Sequence, residues 1–195
     1  MYGEIPAVGS EDCVIVADGG YDYIVKHGVK PNVIVGDFDS VQSDFSGTDA
    51  AVQNHPVIKD DTDTMLAVKI GLDKGYTDFM IYGGLGGKRT DHTVANFQTL
   101  AYIAKKGARG TLVGNGEYFT VIRDDELVIE GEQDSIFSVF AYGGNAYGVS
   151  ISGSHYDVDS AYITPFFPLG VSNRFKEKTV RVSVEKGCLM IVYNK

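Results

Sequence analysis

The sequence has few of the features expected of a secreted, membrane-spanning or nucleic-acid-binding protein. Its two cysteines, Cys13 and Cys188, lie far apart in apolar runs, which predicts buried thiols rather than a disulfide framework or a zinc site. No apolar run approaches the roughly 18 residues that a membrane helix requires. The first ten residues lack the basic region and apolar block of a signal peptide, so we expect a cytoplasmic protein.

Positive charge is also scarce. The chain has 17 Lys and Arg against 26 Asp and Glu, giving a net charge of −9, and its only basic pairs are Lys88-Arg89 and Lys105-Lys106. A nucleic-acid partner is not expected, because such proteins present a basic face. Many of the aspartates fall between Asp18 and Asp91. An acidic site that binds a polyanion needs metal cations in between, whereas one that binds a cation does not.

The first half of the chain alternates short apolar runs with segments of helical period. The pattern predicts strands at 13–17, 33–35, 57–58, 78–82 and 111–113, and helices at 21–27, 62–72 and 91–105. The apolar side of the last helix is expected to contain Val94, Phe97, Leu100, Ala101 and Ala104. Strand–helix–strand repetition predicts a doubly wound, mostly parallel sheet, which binds ligands at the carboxyl ends of its strands.

After about residue 115 the pattern changes to short apolar runs separated by Gly, Asp and Asn, at 118–122, 127–129, 135–141, 147–151, 179–184 and 188–193. This pattern is typical of an antiparallel β-sandwich or barrel. The predicted fold is therefore α/β, with a doubly wound N-terminal domain over residues 1–118 and a C-terminal β-sandwich domain over residues 119–195.

Two of the polar motifs follow the first two predicted strands. Asp18-Gly19-Gly20 suits the close approach of a ligand, although on its own a simple glycine turn explains it better. In Gly36–Ser40, the carboxylates of Asp37 and Asp39 alternate along an extended segment and can meet one ion. Mg²⁺ prefers such ligands together with phosphate oxygens, but a solvated turn remains the alternative.

Two further motifs open predicted helices. In Lys59–Asp63, Thr62 or Asp61 can serve as a helix N-cap, which leaves at least one acid without a structural reason. The loop 83–92 (GGLGGKRTDH) has four glycines and two cations, which favours phosphate binding over a turn capped by Asp91. It matches neither the P-loop nor the dinucleotide-binding fingerprint, which argues against hydride-transfer enzymes.

Taken in order, these motifs resemble the thiamine pyrophosphokinase family. DGG is followed by GDFDS, by KDDTD with Ala67, by GGLGGKRTDH with Asn96, and by a late FPLGVSN at 167–173. The resemblance extends from about residue 18 to the C-terminus. It implies transfer of diphosphate from ATP to the hydroxyl of thiamine, with Mg²⁺ as cofactor and AMP as the second product. It also implies a homodimer with the active site in a cleft between subunits.

The resemblance carries specific roles onto this sequence. The implied metal ligands, which are also catalytic, are Asp37, Asp39 and Asp63, and Asp91 is a further catalytic residue. The implied ATP-binding residues are Asp18, Gly19, Gly20, Lys59, Asp60, Arg89, His92 and Asn96. The implied thiamine-binding residues are Asp91, Tyr156, Ser172 and Asn173. One of the four catalytic carboxylates accepts the hydroxyl proton, and Lys59 and Arg89 neutralise phosphate charge.

The sequence departs from the family pattern in three ways. About a dozen residues precede the first predicted strand, so the family's initial strand is expected to be shortened or missing. Lys88 stands where the family more often has glycine. The chain has no tryptophan, so stacking on thiamine would use Tyr156, Phe166 or Phe167. Two alternatives remain open, namely a metal-dependent phosphohydrolase and a non-catalytic sensor of nucleotide or thiamine.

Overall fold

A computed structural model describes residues 4–38, 41, 48–54, 61–86 and 89–194 of the chain. Its first half alternates strands and helices: β1 (Ile15–Ala17), α1 (Gly20–Lys26), β2 (Val33–Gly36), β3 (Ala51–Asn54), α2 (Asp63–Asp73), β4 (Asp78–Tyr82), α3 (Thr90–Lys105) and β5 (Arg109–Gly114). The second half consists of strands: β6 (Glu117–Arg123), β7 (Glu126–Glu130), β8 (Ile136–Ala141), β9 (Ala146–Ser152), β10 (Val158–Ile163), β11 (Gly170–Arg174), β12 (Thr179–Ser183) and β13 (Cys188–Asn194).

The first three strands form a parallel sheet in the order β1-β2-β3, with Ile15 opposite Val33 and Val33 opposite Ala51. The predicted strands at 13–17 and 33–35 are thereby confirmed, although β1 begins only at Ile15. The predicted strand at 57–58 lies outside the described residues. The third strand observed, β3, was not predicted because its sequence, AVQN, has no sustained apolar pattern and its first three residues are exposed.

A six-stranded mixed sheet follows, in the order β11-β8-β13-β6-β5-β4. Only β4 and β5 run parallel within it, and a two-residue hairpin reverses the chain after β5. That hairpin is Asn115-Gly116, both with positive φ (56° and 76°), as a tight hairpin turn requires.

An α/β fold with mixed sheets is confirmed. Among the described residues the parallel strands are divided between two sheets, and β6 crosses the predicted boundary at 118, so the doubly wound sheet and the two domains stay predictions.

The remaining strands form an antiparallel sheet in the order β10-β9-β12-β7. Its buried side chains share one apolar cluster with those of the six-stranded sheet, for example Ile151 and Val180 with Val139 and Leu189. The sequence pattern missed β10 and β11 because most of their residues are exposed and give no apolar alternation.

Helix α3 packs on the six-stranded sheet within a second apolar cluster. Leu100 and Ile103 are fully buried there, against Leu112 of β5 and Val121 of β6. The predicted helix is confirmed, but Val94 was wrongly placed on its apolar side, since it is 52% exposed and Ile103 completes that side instead.

Cys13 and Cys188 are free and only half-buried, and Cys13 precedes β1 rather than lying in a strand. No helix in the described residues is long and apolar enough to cross a membrane.

Candidate active site

Three aspartates meet where β1, β2 and α2 come together. Asp18 directly follows β1, Asp37 directly follows β2, and Asp63 is the first residue of α2. The carboxyl ends of adjacent parallel strands lie at one edge of a sheet, so Asp18 and Asp37 are brought close. The Asp18 carboxyl hydrogen-bonds to the Asp63 carboxyl and also interacts electrostatically with Asp37. Residues far apart in the sequence therefore form one acidic cluster.

The backbone around Asp18 is fitted to this cluster. Its own φ is 42°, and its N–H donates to the carbonyl of Val35 at 3.0 Å, linking β1 to β2. The N–H of Phe38 donates to Asp18 Oδ1 at 3.4 Å. Gly36 has φ of 147°, and a Cβ at this position would overlap Asp18 Oδ1. The glycine of GDFDS is therefore required by the approach of Asp18 to the end of β2.

Crowding of these carboxyls changes their chemistry. Burial, followed by the hydrogen bond and charge of Asp63, raises the pKa of Asp18 from 3.8 to about 7, and the charge of Asp37 adds a smaller effect. The N–H of Phe38 opposes this rise without reversing it. Below about pH 7 the Asp18 carboxyl is therefore protonated and shares its proton with Asp63 through their hydrogen bond. A cation at this point would relieve the same repulsion.

The structure describes only two of the three predicted metal ligands. Asp37 and Asp63 both interact with Asp18, whereas Asp39 lies outside the described residues. Among the residues that are described, no group of three or more His, Cys, Asp or Glu side chains could by itself hold a metal ion. The chemistry of the gathered donors, hard carboxylate oxygens, is that preferred by Mg²⁺.

The other residues of the Lys59–Asp63 motif divide into two groups. Thr62 is the N-cap of α2, because its hydroxyl accepts a hydrogen bond from the N–H of Met65 at 3.2 Å. Asp61 forms an ion pair with Lys69 of α2, with Nζ–Oδ2 at 2.7 Å. These two residues have structural roles, which leaves Asp63 for the acidic cluster. Lys59 and Asp60 lie outside the described residues.

The glycine-rich loop between β4 and α3 is held by Asn96. The amide nitrogen of this buried side chain donates to the carbonyl of Gly84 at 2.9 Å. A Cβ on Gly84 would lie 2.6 Å from Leu112 Cδ1 and 2.8 Å from Asn96 Nδ2, so only glycine fits. Asn96 therefore shapes the loop, and direct contact between its side chain and ATP stays a prediction.

Arg89 and Asp91 pair with each other at the start of α3. Arg89 Nη2 lies 2.6 Å from Asp91 Oδ2, and both side chains are largely exposed. Hydrogen bonds from Arg89 hold the pKa of Asp91 at about 2, well below its usual value of 3.8. In this arrangement Asp91 is a weak proton acceptor. The neighbouring His92 is exposed in the first turn of the helix.

A cavity of about 730 Å³ lies between β1 and β4 and reaches the glycine loops. Five of the residues predicted to bind ATP line it, namely Gly19, Gly20, Arg89, His92 and Asn96. Further lining comes from Thr64 and Ala67 of α2 and from Met80, Ile81 and Tyr82 of β4. Sequence reasoning did not single out Thr64 or the β4 residues for the site, because apolar strand residues give the same pattern in a cavity wall as in a core.

The residues predicted to bind thiamine have contrasting environments. Tyr156 is 71% exposed and Ser172 is also exposed, whereas Asn173 is buried at 6% exposure. Asn173 and Tyr156 are in direct contact, since the Tyr156 N–H donates to Asn173 Oδ1 at 3.2 Å. Asp91, the fourth predicted residue, pairs with Arg89, and its contact with thiamine stays a prediction.

Two family models match most of the chain. Residues 7–112 match the family model described as the thiamin pyrophosphokinase catalytic domain, and residues 126–189 match the thiamin pyrophosphokinase vitamin B1 binding domain. No curated protein matches the chain in sequence.

Solved structures share the fold. Thiamine pyrophosphokinase from Bacillus subtilis superposes with a TM-score of 0.86 at 24% identity, over 96% of this chain and 90% of that one. The enzyme from Geobacillus thermodenitrificans gives 0.85 at 21% identity, over 96% and 88%. Yeast thiamin pyrophosphokinase gives 0.74 at 17% identity, over 94% and 78%. Because the catalytic family model alone spans more than half of the sequence, the chain belongs to the thiamin pyrophosphokinase family, and its activity is the transfer of diphosphate from ATP to thiamine.

Proposed function

We propose that the transfer of the terminal diphosphate of ATP to the hydroxyl of thiamine uses the cavity beside β4 for ATP and the acidic cluster for the phosphates. The observation that carries this proposal is the meeting of Asp18, Asp37 and Asp63 at the carboxyl ends of β1 and β2, with Gly19 and Gly20 directly after Asp18. In diphosphoryl transfer the protein positions the two substrates and neutralises the phosphate charge, and it need not form a covalent intermediate.

The nucleotide would lie along the glycine-rich turns. Gly19, Gly20 and Gly84 let a ligand approach the backbone closely, and the N-terminus of α3 offers N–H donors to phosphate. Arg89 is exposed beside this helix start, so its guanidinium can leave Asp91 and pair with a phosphate. Lys59, Asp60, His92 and Asn96 complete the proposed ATP site.

Mg²⁺ is the proposed cofactor, held by Asp37, Asp39 and Asp63. When bound there it would neutralise charge on the phosphates. A cation held by Asp63 would lower the raised pKa of Asp18, because it would offset the negative charge of Asp63. Asp91 is a poor acceptor for the hydroxyl proton of thiamine while Arg89 is paired with it, because its pKa is held at about 2. This favours Asp37, Asp39 or Asp63 as the acceptor.

Thiamine is proposed to bind through the C-terminal half, with Tyr156 and Ser172 exposed on its surface. The nearby segment exposes large apolar side chains, with Phe166 at 91%, Phe167 at 63% and Leu169 at 59%. Such a surface supports the proposed homodimer with a cleft between subunits. We also propose a doubly wound α/β domain over 1–118, a β-sandwich domain over 119–195, and a cytoplasmic location.

The test is AMP formation by the purified protein with ATP and Mg²⁺, measured with and without thiamine. The proposal predicts AMP release that depends on thiamine, together with the appearance of thiamine diphosphate. It also predicts no turnover when Mg²⁺ is removed by a chelator and recovery when Mg²⁺ is restored. Equal AMP release in the absence of thiamine would favour a phosphohydrolase and refute the proposal.

A further inference from the structure

The loop between β9 and β10 is anchored unusually firmly for an exposed turn. It begins at Gly153, whose φ is 86° and where a Cβ would overlap the carbonyl oxygen of Thr179 on β12. Asp157 Oδ1 accepts hydrogen bonds from both the N–H and the hydroxyl of Ser154, each at 2.8 Å. His155 Nε2 lies 2.8 Å from Asp134 Oδ1. These contacts fix the loop on both sides of Tyr156.

The strongest anchor is the side chain of Asn173 on β11. Its Nδ2 donates to the hydroxyl of Ser154 at 3.1 Å and to the carbonyl of Tyr156 at 3.0 Å. Its Oδ1 accepts from the N–H of Tyr156 at 3.2 Å and from the N–H of Arg174 at 2.8 Å. A carboxamide has two N–H donors and two acceptor lone pairs, so all four positions are in use. None remains for a ligand.

The inward direction of Asn173 follows from the irregular pairing of β11 with β8. The register shifts between Gly170 and Asn173, and Ser172 in between has a φ of 61°. The N–H of Ser172 is held by the hydroxyl of Ser138 at 3.1 Å. Ser172 is consequently exposed while Asn173 is buried, and two adjacent residues of the Ser-Asn pair acquire different environments.

We propose that Asn173 is a positioning residue that acts on thiamine through Tyr156, rather than a residue that contacts thiamine. Its amide hydrogen-bonds to both the N–H and the carbonyl of Tyr156, while Tyr156 as a whole residue is 71% exposed. Fixing the backbone restricts where the ring can lie and lowers the entropy lost when an aromatic ligand stacks on it. This inference rests on the proposed function.

The test is a double-mutant cycle on thiamine-dependent AMP formation, with Asn173→Ala, Tyr156→Ala and the combined variant. Removing Asn173 alone is expected to raise KM for thiamine by up to about tenfold, because ordering one side chain on binding costs up to about 1.5 kcal/mol. KM for ATP and kcat at saturating thiamine should stay within about twofold, because the lost interaction acts on binding. In the Tyr156→Ala variant, the additional change Asn173→Ala should raise KM for thiamine by less than about twofold further, because its effect is transmitted through the ring of Tyr156.

Two further variants keep the result interpretable. Ser154→Ala removes one partner of Asn173 and is expected to raise KM for thiamine in the same direction, even if Asn173→Ala folds poorly. Thr120→Val is a matched control, because Thr120 is also a buried polar residue of a strand and its hydroxyl bonds to that of Thr111 at 2.9 Å. It should lower the melting temperature without changing KM for thiamine.

The possible outcomes separate this inference from the proposed function. A wild-type protein without thiamine-dependent AMP formation would refute both. If the wild type is active, and the effects of Asn173→Ala and Tyr156→Ala on KM multiply in the combined variant, Asn173 acts independently of Tyr156 and the inference is wrong. A normal KM for thiamine in folded Asn173→Ala would overturn it equally.

Discussion

The shared proton of the acidic cluster can be tested through the pH dependence of stability, using Asp18→Asn. The asparagine keeps the shape of the protonated carboxyl and can still donate to Asp63, but it carries no charge at any pH. Because the pKa of Asp18 is raised from 3.8 in the unfolded chain to about 7 in the folded protein, the folded state holds the proton more tightly. The resulting stability is present below about pH 4 and is lost as the pH rises through 7.

The magnitude follows from the size of the pKa change. A rise from 3.8 to about 7 corresponds to about 4 kcal/mol at most. Asp18 is only half-buried and solvent screens its charge, so we expect a difference of about 1–2 kcal/mol. For a chain of this length, that corresponds to about 2–8 °C in melting temperature.

The assay is thermal unfolding of wild type and Asp18→Asn at pH 4 and pH 8, without metal. Near pH 4 the two proteins should melt at similar temperatures, because Asp18 is protonated in the folded wild type and the unfolded chain is near the midpoint of losing the same proton. At pH 8 the variant should be the more stable by the amount above, and its turnover should be lost. A difference in melting temperature that is the same at both pH values would refute the shared proton.

Three other changes test the packing that surrounds the site. Gly36→Ala should lower turnover more than tenfold and cost about 1–3 kcal/mol in unfolding free energy, because its Cβ would overlap Asp18 at a φ of 147°. The AMP assay measures the turnover and denaturant titration measures the unfolding free energy. A variant of normal stability would contradict the overlap. Gly84→Ala should raise KM for ATP by displacing Asn96 or Leu112, and an unchanged KM would argue against the loop as part of the ATP site. Leu100→Ala, at a fully buried position of α3, should cost about 2–5 kcal/mol in urea unfolding, and a cost near zero would contradict the described core.

Much of the α/β half could be predicted from local patterns. The strands β1, β2, β4 and β5 and the helices α2 and α3 carry clear apolar periods, and the strongest motifs follow directly after strands or precede helices. Which strands pair among the described residues depends on contacts between distant parts of the sequence, such as β13 with β6, that no local pattern shows. Strands that are mostly exposed, such as β10 and β11, leave no apolar signal.

The site shows a similar contrast. The motif residues were recognisable, but their roles depend on contacts that no local pattern encodes. Asp63 and Asp61 stand two positions apart in one acidic run, yet one joins Asp18 and the other pairs with Lys69. Asn173 and Ser172 are adjacent, yet a register shift buries the first and exposes the second. These differences between neighbouring residues arise from packing against distant parts of the chain, so the sequence pattern could not predict them.

Asp63 and Asp61 together provide the most direct test of the central claim that the clustered carboxylates perform the reaction. Each is replaced by Asn, which removes one negative charge from the same motif with little change of shape, and AMP formation is measured with ATP, Mg²⁺ and thiamine. Asp63→Asn is expected to abolish turnover while the protein stays folded. Asp61→Asn, which breaks a partly exposed ion pair, is expected to keep at least about half of the turnover. Wild-type turnover by folded Asp63→Asn would show that the clustered carboxylates do not perform the reaction.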